Sequence, residues 1–248
     1  MAYVDLHPFD QQPLVTFLFI HGAGGSHRSW RRQHVLANHS RLIFLDLPGH
    51  GGSGGAGEAT IGRYADYVME FIRSRQLGKT VICGHSMGGA IALELALREP
   101  ELLKGLVLVS TGAKLRVLPA IFQLIREDFA LAVQGIAGFL FASAAPAELV
   151  EEERILLAGN SPDLLLKDFT ACDSFDIMDK VDSVKLPALI MCGKEDRLTS
   201  PKYSNLLHET ITGSEFVLFD DCGHMPMLEQ SEAFNEHLEE FAQQLQGI

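Results

Sequence analysis

Cysteine is scarce in this chain, four residues in 248, and Cys83, Cys172, Cys192 and Cys222 stand far apart with no C-x-x-C pair. Such spacing suggests neither a disulfide framework nor a zinc site, and reduced thiols in a cytoplasmic setting account for it most simply. Basic runs are missing too. None is longer than Arg31-Arg32, and 32 acidic against 20 basic side chains leave a net charge of −12. Nucleic acid and anionic membrane surfaces both require clustered Lys and Arg, so neither is an expected partner. The first apolar run, Leu14 to Ile20, is far too short to span a bilayer, and no charged leader region precedes it. Repeats, linkers and low-complexity segments are absent. The expectation is a soluble cytoplasmic protein, monomeric or homodimeric, whose partner is a small molecule. Its 47% hydrophobic content suffices for one sizeable domain.

What is present is an alternation of strand-like and helix-like runs. Tyr3 to His7 has room for one short strand. Leu14 to Ile20, Leu42 to Asp46, Thr80 to Cys83, Gly105 to Ser110, Ala188 to Gly193 and Glu215 to Phe219 are apolar and read as buried strands. Between them the spacing predicts helices over Arg28 to Ala37 and over Gly88 to Arg98. Another starts at Thr60, with Ile61, Tyr64, Ala65, Val68 and Ile72 on one face and Gly78 as its stop. Ser200-Pro201 opens a further helix as N-cap and first residue, and the last helix carries Phe234, Leu238, Phe241 and Leu245 on one side. Strands alternating with helices mean a mostly parallel sheet covered on both faces. From Lys114 to Lys180 the pattern turns helical, divided by Pro119, Pro146 and Pro162, with Phe129 and Phe139 among its aromatics. A helical insertion of that size, following a core strand, is expected to fold over the sheet as a cap and line a pocket.

One stretch concentrates the chemistry. In Gly84-His85-Ser86-Met87-Gly88 a serine sits between a strand and a helix, on a turn that lifts its hydroxyl clear of the sheet. The same G-x-S-x-G spacing recurs at Gly51-Gly52-Ser53-Gly54-Gly55, but no helix directly follows Ser53, which reads as loop. Gly49-His50-Gly51-Gly52-Ser53-Gly54 also matches a dinucleotide-binding spacing. Pro48 before it and Gly55-Ala56-Gly57 after it leave no helix to open on its last glycine, so no nicotinamide cofactor is expected.

A serine hydroxyl needs a base, and the base needs a carboxylate to orient it. His224, in the loop after the last strand, and Asp196, in the loop after the strand before it, emerge at the same sheet edge as Ser86. Glu195 is the immediate rival of Asp196, and Asp220 and Asp221 lie close to His224. The oxyanion needs two donors. Met87 N–H, at the start of the helix, is one; Ala23 N–H, in His21-Gly22-Ala23, is the other, with Gly24 as its rival. Gly22, Gly24, His85, Phe129, Phe139 and Met225 are candidates for substrate contact, and no metal ligand set is expected.

Taken in this order, His21-Gly22-Ala23-Gly24-Gly25, the run from Asp46 to Ser53, Gly84 to Gly89, Gly193-x-x-Asp196 and Gly223-His224 resemble the small capped esterases and lactonases of the α/β-hydrolase superfamily. The resemblance implies a doubly wound α/β core (1–113 and 181–248), with a helical cap (114–180) inserted after the sixth strand. It implies Ser86, Asp196 and His224 as the triad, and Ala23 and Met87 as the oxyanion hole. The serine at the elbow argues against the related dehalogenases and epoxide hydrolases, which carry aspartate there. The function implied is hydrolysis of small to medium hydrophobic acyl or aryl esters. Enol-lactone hydrolases, C–C bond hydrolases and the lyase of menaquinone synthesis are alternatives on the same triad. The last two need groups such as Arg116 or Arg126 to hold an anion. A ligand sensor without turnover is the alternative of another class.

Overall fold

A computed structural model of the chain describes residues 1–8 and 12–247. Among them seven strands form: β1 (Tyr3–Leu6), β2 (Thr16–Ile20), β3 (Arg41–Leu45), β4 (Thr80–His85), β5 (Leu103–Val109), β6 (Ala188–Gly193) and β7 (Glu215–Phe219). They build one sheet in the order β1-β3-β2-β4-β5-β6-β7, parallel except for β1, which pairs antiparallel with β3. Helices α1 (Ile61–Ser74) and α2 (Met87–Arg98) flank β4 in sequence. Four more, α3 (Pro119–Glu127), α4 (Phe129–Leu140), α5 (Ala147–Ala158) and α6 (Pro162–Ser174), lie between β5 and β6. Then come α7 (Pro201–Thr210), the single turn α8 (Pro226–Glu229) and α9 (Ser231–Gln246). No helix among the described residues is long and apolar enough to cross a membrane.

Side chains alternate across each strand, so the two faces of the sheet fill two separate cores. Leu18, Ile20, Ile43, Ile82 and Leu108 pack with the buried faces of α1 and α2. Phe17, Phe19, Phe44, Cys83 and Val107 pack with Trp30 and with Phe234, Leu238, Phe241 and Leu245 of α9. This is a doubly wound α/β fold. Its strand order reverses at β2: the chain leaves β2 for β3 on one side and returns through α1 to β4 on the other. The loops after β2 and β4 therefore diverge around a crevice at the carboxyl ends of the strands, where ligands bind in such sheets.

Four expectations change in detail. The helical insertion follows the fifth strand, not the sixth, because the described residues before β2 form only the one strand, β1. Residues 28–37 form two 3₁₀ turns, His27–Trp30 and His34–Asn38, and not an α-helix. The chain breaks between them because Gln33 is buried. Its amide donates to Met227 O (2.9 Å) and Asn235 Oδ1 (3.1 Å), and Asn235 donates back to Arg32 O (3.0 Å). Ser200 occupies the N-cap of α7 without a side-chain capping bond. Thr60 does cap α1, accepting from Arg63 N, but α1 ends at Ser74, ahead of Gly78.

The segments entering and leaving the insertion are clasped at its base. Ile177 N donates to Ala113 O (2.9 Å), Val117 N to Asp173 Oδ1 (3.1 Å), and Lys114 pairs with Asp176 (2.5 Å).

The contact between the start of α2 and the end of β2 is backbone on backbone. A Cβ at Gly88 would lie 2.2 Å from Ile20 O, and one at Gly84 would lie 2.2 Å from Gly88 O. Neither strand nor helix can yield there without opening the sheet. Gly88→Ala is expected to destabilise the protein by about 3 kcal/mol or more, measured by urea unfolding; a loss below about 1 kcal/mol would contradict this packing.

Candidate active site

The turn after β4 places Ser86 in left-handed backbone, φ 52° and ψ −112°. Such a conformation is costly for a residue with a Cβ, and it persists only where neighbours over-determine it. Here Ser86 N donates to Val109 O (2.9 Å). Ser86 O accepts from Gly89 N (2.9 Å), Ala90 N (3.2 Å) and Thr111 Oγ1 (2.8 Å). The half-buried Ser86 then faces a cavity of roughly 250 Å³ that it lines together with Gly22, Ala23, Gly24, His85 and His224.

His224 Nδ1 donates to Asp196 Oδ2 at 2.8 Å, with the two side chains 3% and 0% exposed. This leaves His224 Nε2 as the ring atom free for chemistry. Asp196 Oδ1 accepts from Leu198 N and Thr199 N (2.9 Å each), and Thr199 Oγ1 lies 2.8 Å from Oδ2. Burial alone would raise the Asp196 pKa. The charge of His224 and these hydrogen bonds outweigh it and hold the carboxyl below its ordinary range. The rival carboxylates are used elsewhere. Glu195 accepts from Ser143 N and Oγ (3.2 Å each), Asp220 pairs with Lys194 (2.9 Å), and Asp221 forms a turn at φ 49°. Thr199 was not anticipated. An Asp followed three residues later by Thr, just past a strand, is the signal that could have found it.

The His224 loop is fixed at its backbone. His224 N donates to Leu140 O (2.8 Å), at the end of α4, and His224 O accepts from His85 Nε2 (3.0 Å). On either side, Gly223 N (2.9 Å) and Met225 N (3.3 Å) donate to the Glu229 carboxylate, which also accepts from Ala142 N of the insertion (2.8 Å). His85 thus lines the cavity and steadies the His224 backbone at once. Its ring leaves no room beside Gly22, where a Cβ would come within 2.9 Å of His85 Nδ1.

The loop after β2 supplies N–H groups. Gly24 N–H is taken by Asp168 Oδ2 (2.8 Å) and Gly25 N–H by Gly22 O (3.1 Å), which leaves Ala23 N–H at the cavity wall. Met87, as the first residue of α2, has no intrahelical acceptor for its own N–H. Of the other candidates, Gly22, Gly24, His85, Phe139 and Met225 line the cavity. Phe129 does not: it is partly buried against the apolar cluster that also holds Ala132, Val133 and Ile136 of α4. Arg116 reaches the cavity, and its Nη1 donates to Asp173 O (3.0 Å); Arg126 lies on the exposed side of α3. Ser53, the second serine of the G-x-S-x-G kind, is a turn residue. It accepts from Ala2 N (2.7 Å) and donates to Asp46 O (2.6 Å).

This is the architecture of an alpha/beta hydrolase, and the chain belongs to that family, whose profile matches residues 17–237. It is similar over 98% of its length to a solved thermophilic esterase (34% identity, TM-score 0.85, 98% of that chain). A protein of Rhizobium rhizogenes provisionally named carbamate hydrolase RutD is 29% identical over 96% of this chain and 97% of its own. The pimeloyl-[acyl-carrier protein] methyl ester esterase of Nitrosospira multiformis is 28% identical over 84% of this chain and 86% of its own.

Two of the buried histidines are held neutral. His21 accepts from Leu47 N at Nε2 (3.1 Å) and donates from Nδ1 to Gly22 O (2.8 Å); burial, with His50 alongside, lowers its pKa to about 3. Burial and the neighbouring His224 push His85 well below its ordinary value. Below about pH 6.5 the unfolded chain binds protons at both positions that the folded chain refuses, so stability falls as pH falls. Between pH 6 and 5 the two histidines should cost about 2 kcal/mol of unfolding free energy, offset in part by His50, whose pKa the fold raises, so that urea titration at each pH should read a net loss. A flat profile across that unit would mean that one of them is protonated in the fold.

Proposed function

We propose that the protein is a serine carboxylic-ester hydrolase, working through Ser86, His224 and Asp196. The observation that carries the reading is the convergence at one cavity of a strained strand-to-helix serine and a histidine committed through Nδ1 to a buried carboxylate. Ser86 Oγ attacks the ester carbonyl while His224 Nε2 takes its proton. The carbonyl π pair moves onto oxygen, and Ala23 N–H and Met87 N–H stabilise that oxyanion. Collapse expels the alcohol, which receives the proton from His224 and leaves an acyl-Ser86 ester. Water repeats the sequence with His224 as base and releases the acid and Ser86. Asp196 stabilises the imidazolium and fixes the ring's tautomer throughout. Helices α3 to α6 act as the cap, and their Ile136, Leu140, Leu157 and Phe169 line the same cavity as the serine.

Those walls favour a small to medium acyl or aryl group over a polar one. The names of the relatives, a methyl ester esterase and a provisional carbamate hydrolase, are consistent with a reaction that begins by attack on an ester-like carbonyl. The protein is read as acting on a small soluble substrate without a cofactor.

p-Nitrophenyl esters from acetate to laurate test the reading. Ser86→Ala should lose about 10⁴-fold or more in kcat with its unfolding midpoint preserved. Ser53→Ala should keep kcat within about threefold and lose stability instead, because it frees Ala2 N and Asp46 O from their shared hydroxyl. Equal turnover by wild type and Ser86→Ala, or none by the folded wild type on any ester, would overturn the assignment.

A further inference from the structure

The α6 residue Asp168 is completely buried, and its carboxylate gathers donors from three separate parts of the core. Oδ2 accepts from Gly24 N (2.8 Å), in the loop after β2, and from His50 Nε2 (2.7 Å), in the loop after β3. Oδ1 accepts from Tyr64 OH (2.6 Å), on α1. Each donor is held from behind. His50 Nδ1 donates to Pro48 O (3.1 Å), so both of its ring nitrogens donate and the ring is the cation of a fully buried ion pair. Burial works against that charge, but the hydrogen bond and the charge of Asp168 more than offset it and raise the His50 pKa. Tyr64 OH accepts from Glu58 N (2.9 Å). A buried carboxylate costs several kcal/mol unless it is fully paired, so such a cluster holds one geometry and resists displacement.

We propose that Asp168 is the positioning residue of the oxyanion hole, fastening the Gly24 N–H so that the preceding Ala23 N–H is held toward Ser86. The inference rests on the serine-hydrolase reading above. A glycine-rich loop is otherwise free to rotate its peptides. Gly24 stands at φ 64°, and nothing in its own sequence fixes it there. Anchoring its N–H fixes the plane of the Ala23–Gly24 peptide, next to the Gly22–Ala23 peptide that carries Ala23 N–H and whose carbonyl accepts from His21 Nδ1 (2.8 Å) and Gly25 N (3.1 Å). Asn160 Nδ2 fixes the next one by donating to Gly24 O (2.7 Å). Both anchors come from the cap, α6 and the turn before it. Leu165 and Leu157 fill the space against Gly24, where a Cβ would come within 2.8 Å and 2.9 Å of their methyl groups. On this account the cap is a fixed wall of the catalytic apparatus, and displacing α6 disables the oxyanion hole before it exposes the pocket.

Four variants separate positioning from bulk stability, assayed with p-nitrophenyl butyrate at 20 °C on folded protein. Asp168→Ala should lower kcat by roughly 30- to 100-fold with KM within about threefold, since a displaced donor acts in the transition state. It should weaken a trifluoromethyl ketone, whose adduct with Ser86 carries the oxyanion, by a similar factor. Tyr64→Phe removes the bond to Oδ1 and leaves Gly24 bound to Oδ2. It should lower Tm by roughly 5 °C while kcat stays within about twofold. Asp168→Asn keeps one acceptor oxygen, best turned to the two donors at the Oδ2 side, and should recover kcat to within about tenfold of wild type. If Asp168→Ala does not fold, Gly24→Ala carries the test. It pushes the loop off the cap, and with it Gly24 N–H off Asp168, while leaving Asp168, His50 and Tyr64 themselves in place, and should lower kcat at least tenfold with little change in KM.

Wild-type turnover that vanishes in Ser86→Ala secures the underlying reading independently. Given that, kcat within threefold of wild type in folded Asp168→Ala, or in Gly24→Ala where the former does not fold, would overturn the proposal. So would a loss in Tyr64→Phe as large as in Asp168→Ala, because activity would then follow stability alone.

Discussion

The structure depends on the contact between the start of α2 and the end of β2, where the Gly88 backbone presses on the Ile20 carbonyl with no space for a single methyl group. Because helix and strand meet at this distance, the turn between β4 and α2 must be sharp, and Ser86 is driven into left-handed backbone at its apex. The same contact brings the loop leaving β2 alongside the serine. Ser86 and the peptides of the loop after β2 therefore share one origin, the crevice where the sheet reverses its order. A sheet with a looser approach would separate the hydroxyl from the N–H groups, and each would be ordinary surface.

Three buried or half-buried carboxylates then fix three loops around that crevice. Asp196 orients the imidazole of His224, Glu229 holds the backbone on both sides of it, and Asp168 holds the loop after β2. Each accepts from backbone N–H groups that would otherwise be unpaired inside the protein, which is the condition under which a buried charge is tolerated. Two of the three also join the helical insertion to the core, through Ala142 N on Glu229 and through Asp168 itself. The insertion thus contributes cavity wall and, at the same time, part of what holds the loops around the cavity in place.

Much of this was legible beforehand. Strands β6 and β7 fall at the residues their apolar runs mark, and Ser86, Asp196 and His224 lie in strand-end loops that a parallel sheet must bring to one edge. Strand burial and the spacing of glycine around a serine are local properties, set by covalent geometry and hydrophobic periodicity, and local properties can be read in order along a chain. The 3₁₀ turns at 27–38 could not be, because Gln33 is drawn inward by Met227 and Asn235, some two hundred residues away.

The sequence by itself determined the fold class and the sheet edge at which Ser86, Asp196 and His224 stand, since the alternation of strand and helix and the Gly84–Gly88 turn have few other solutions. The tertiary structure alone decided which groups around them matter. Asp168 is one acidic residue among 32, with no neighbour in sequence to mark it. Gly24, His50 and Tyr64 reach it from 104 to 144 positions away. Gly24 and Ala23 are adjacent residues in one glycine-rich loop, and the partner that claims one N–H and leaves the other comes from α6. A hydrogen bond is short-ranged and directional, so its partners are settled only when distant segments have packed.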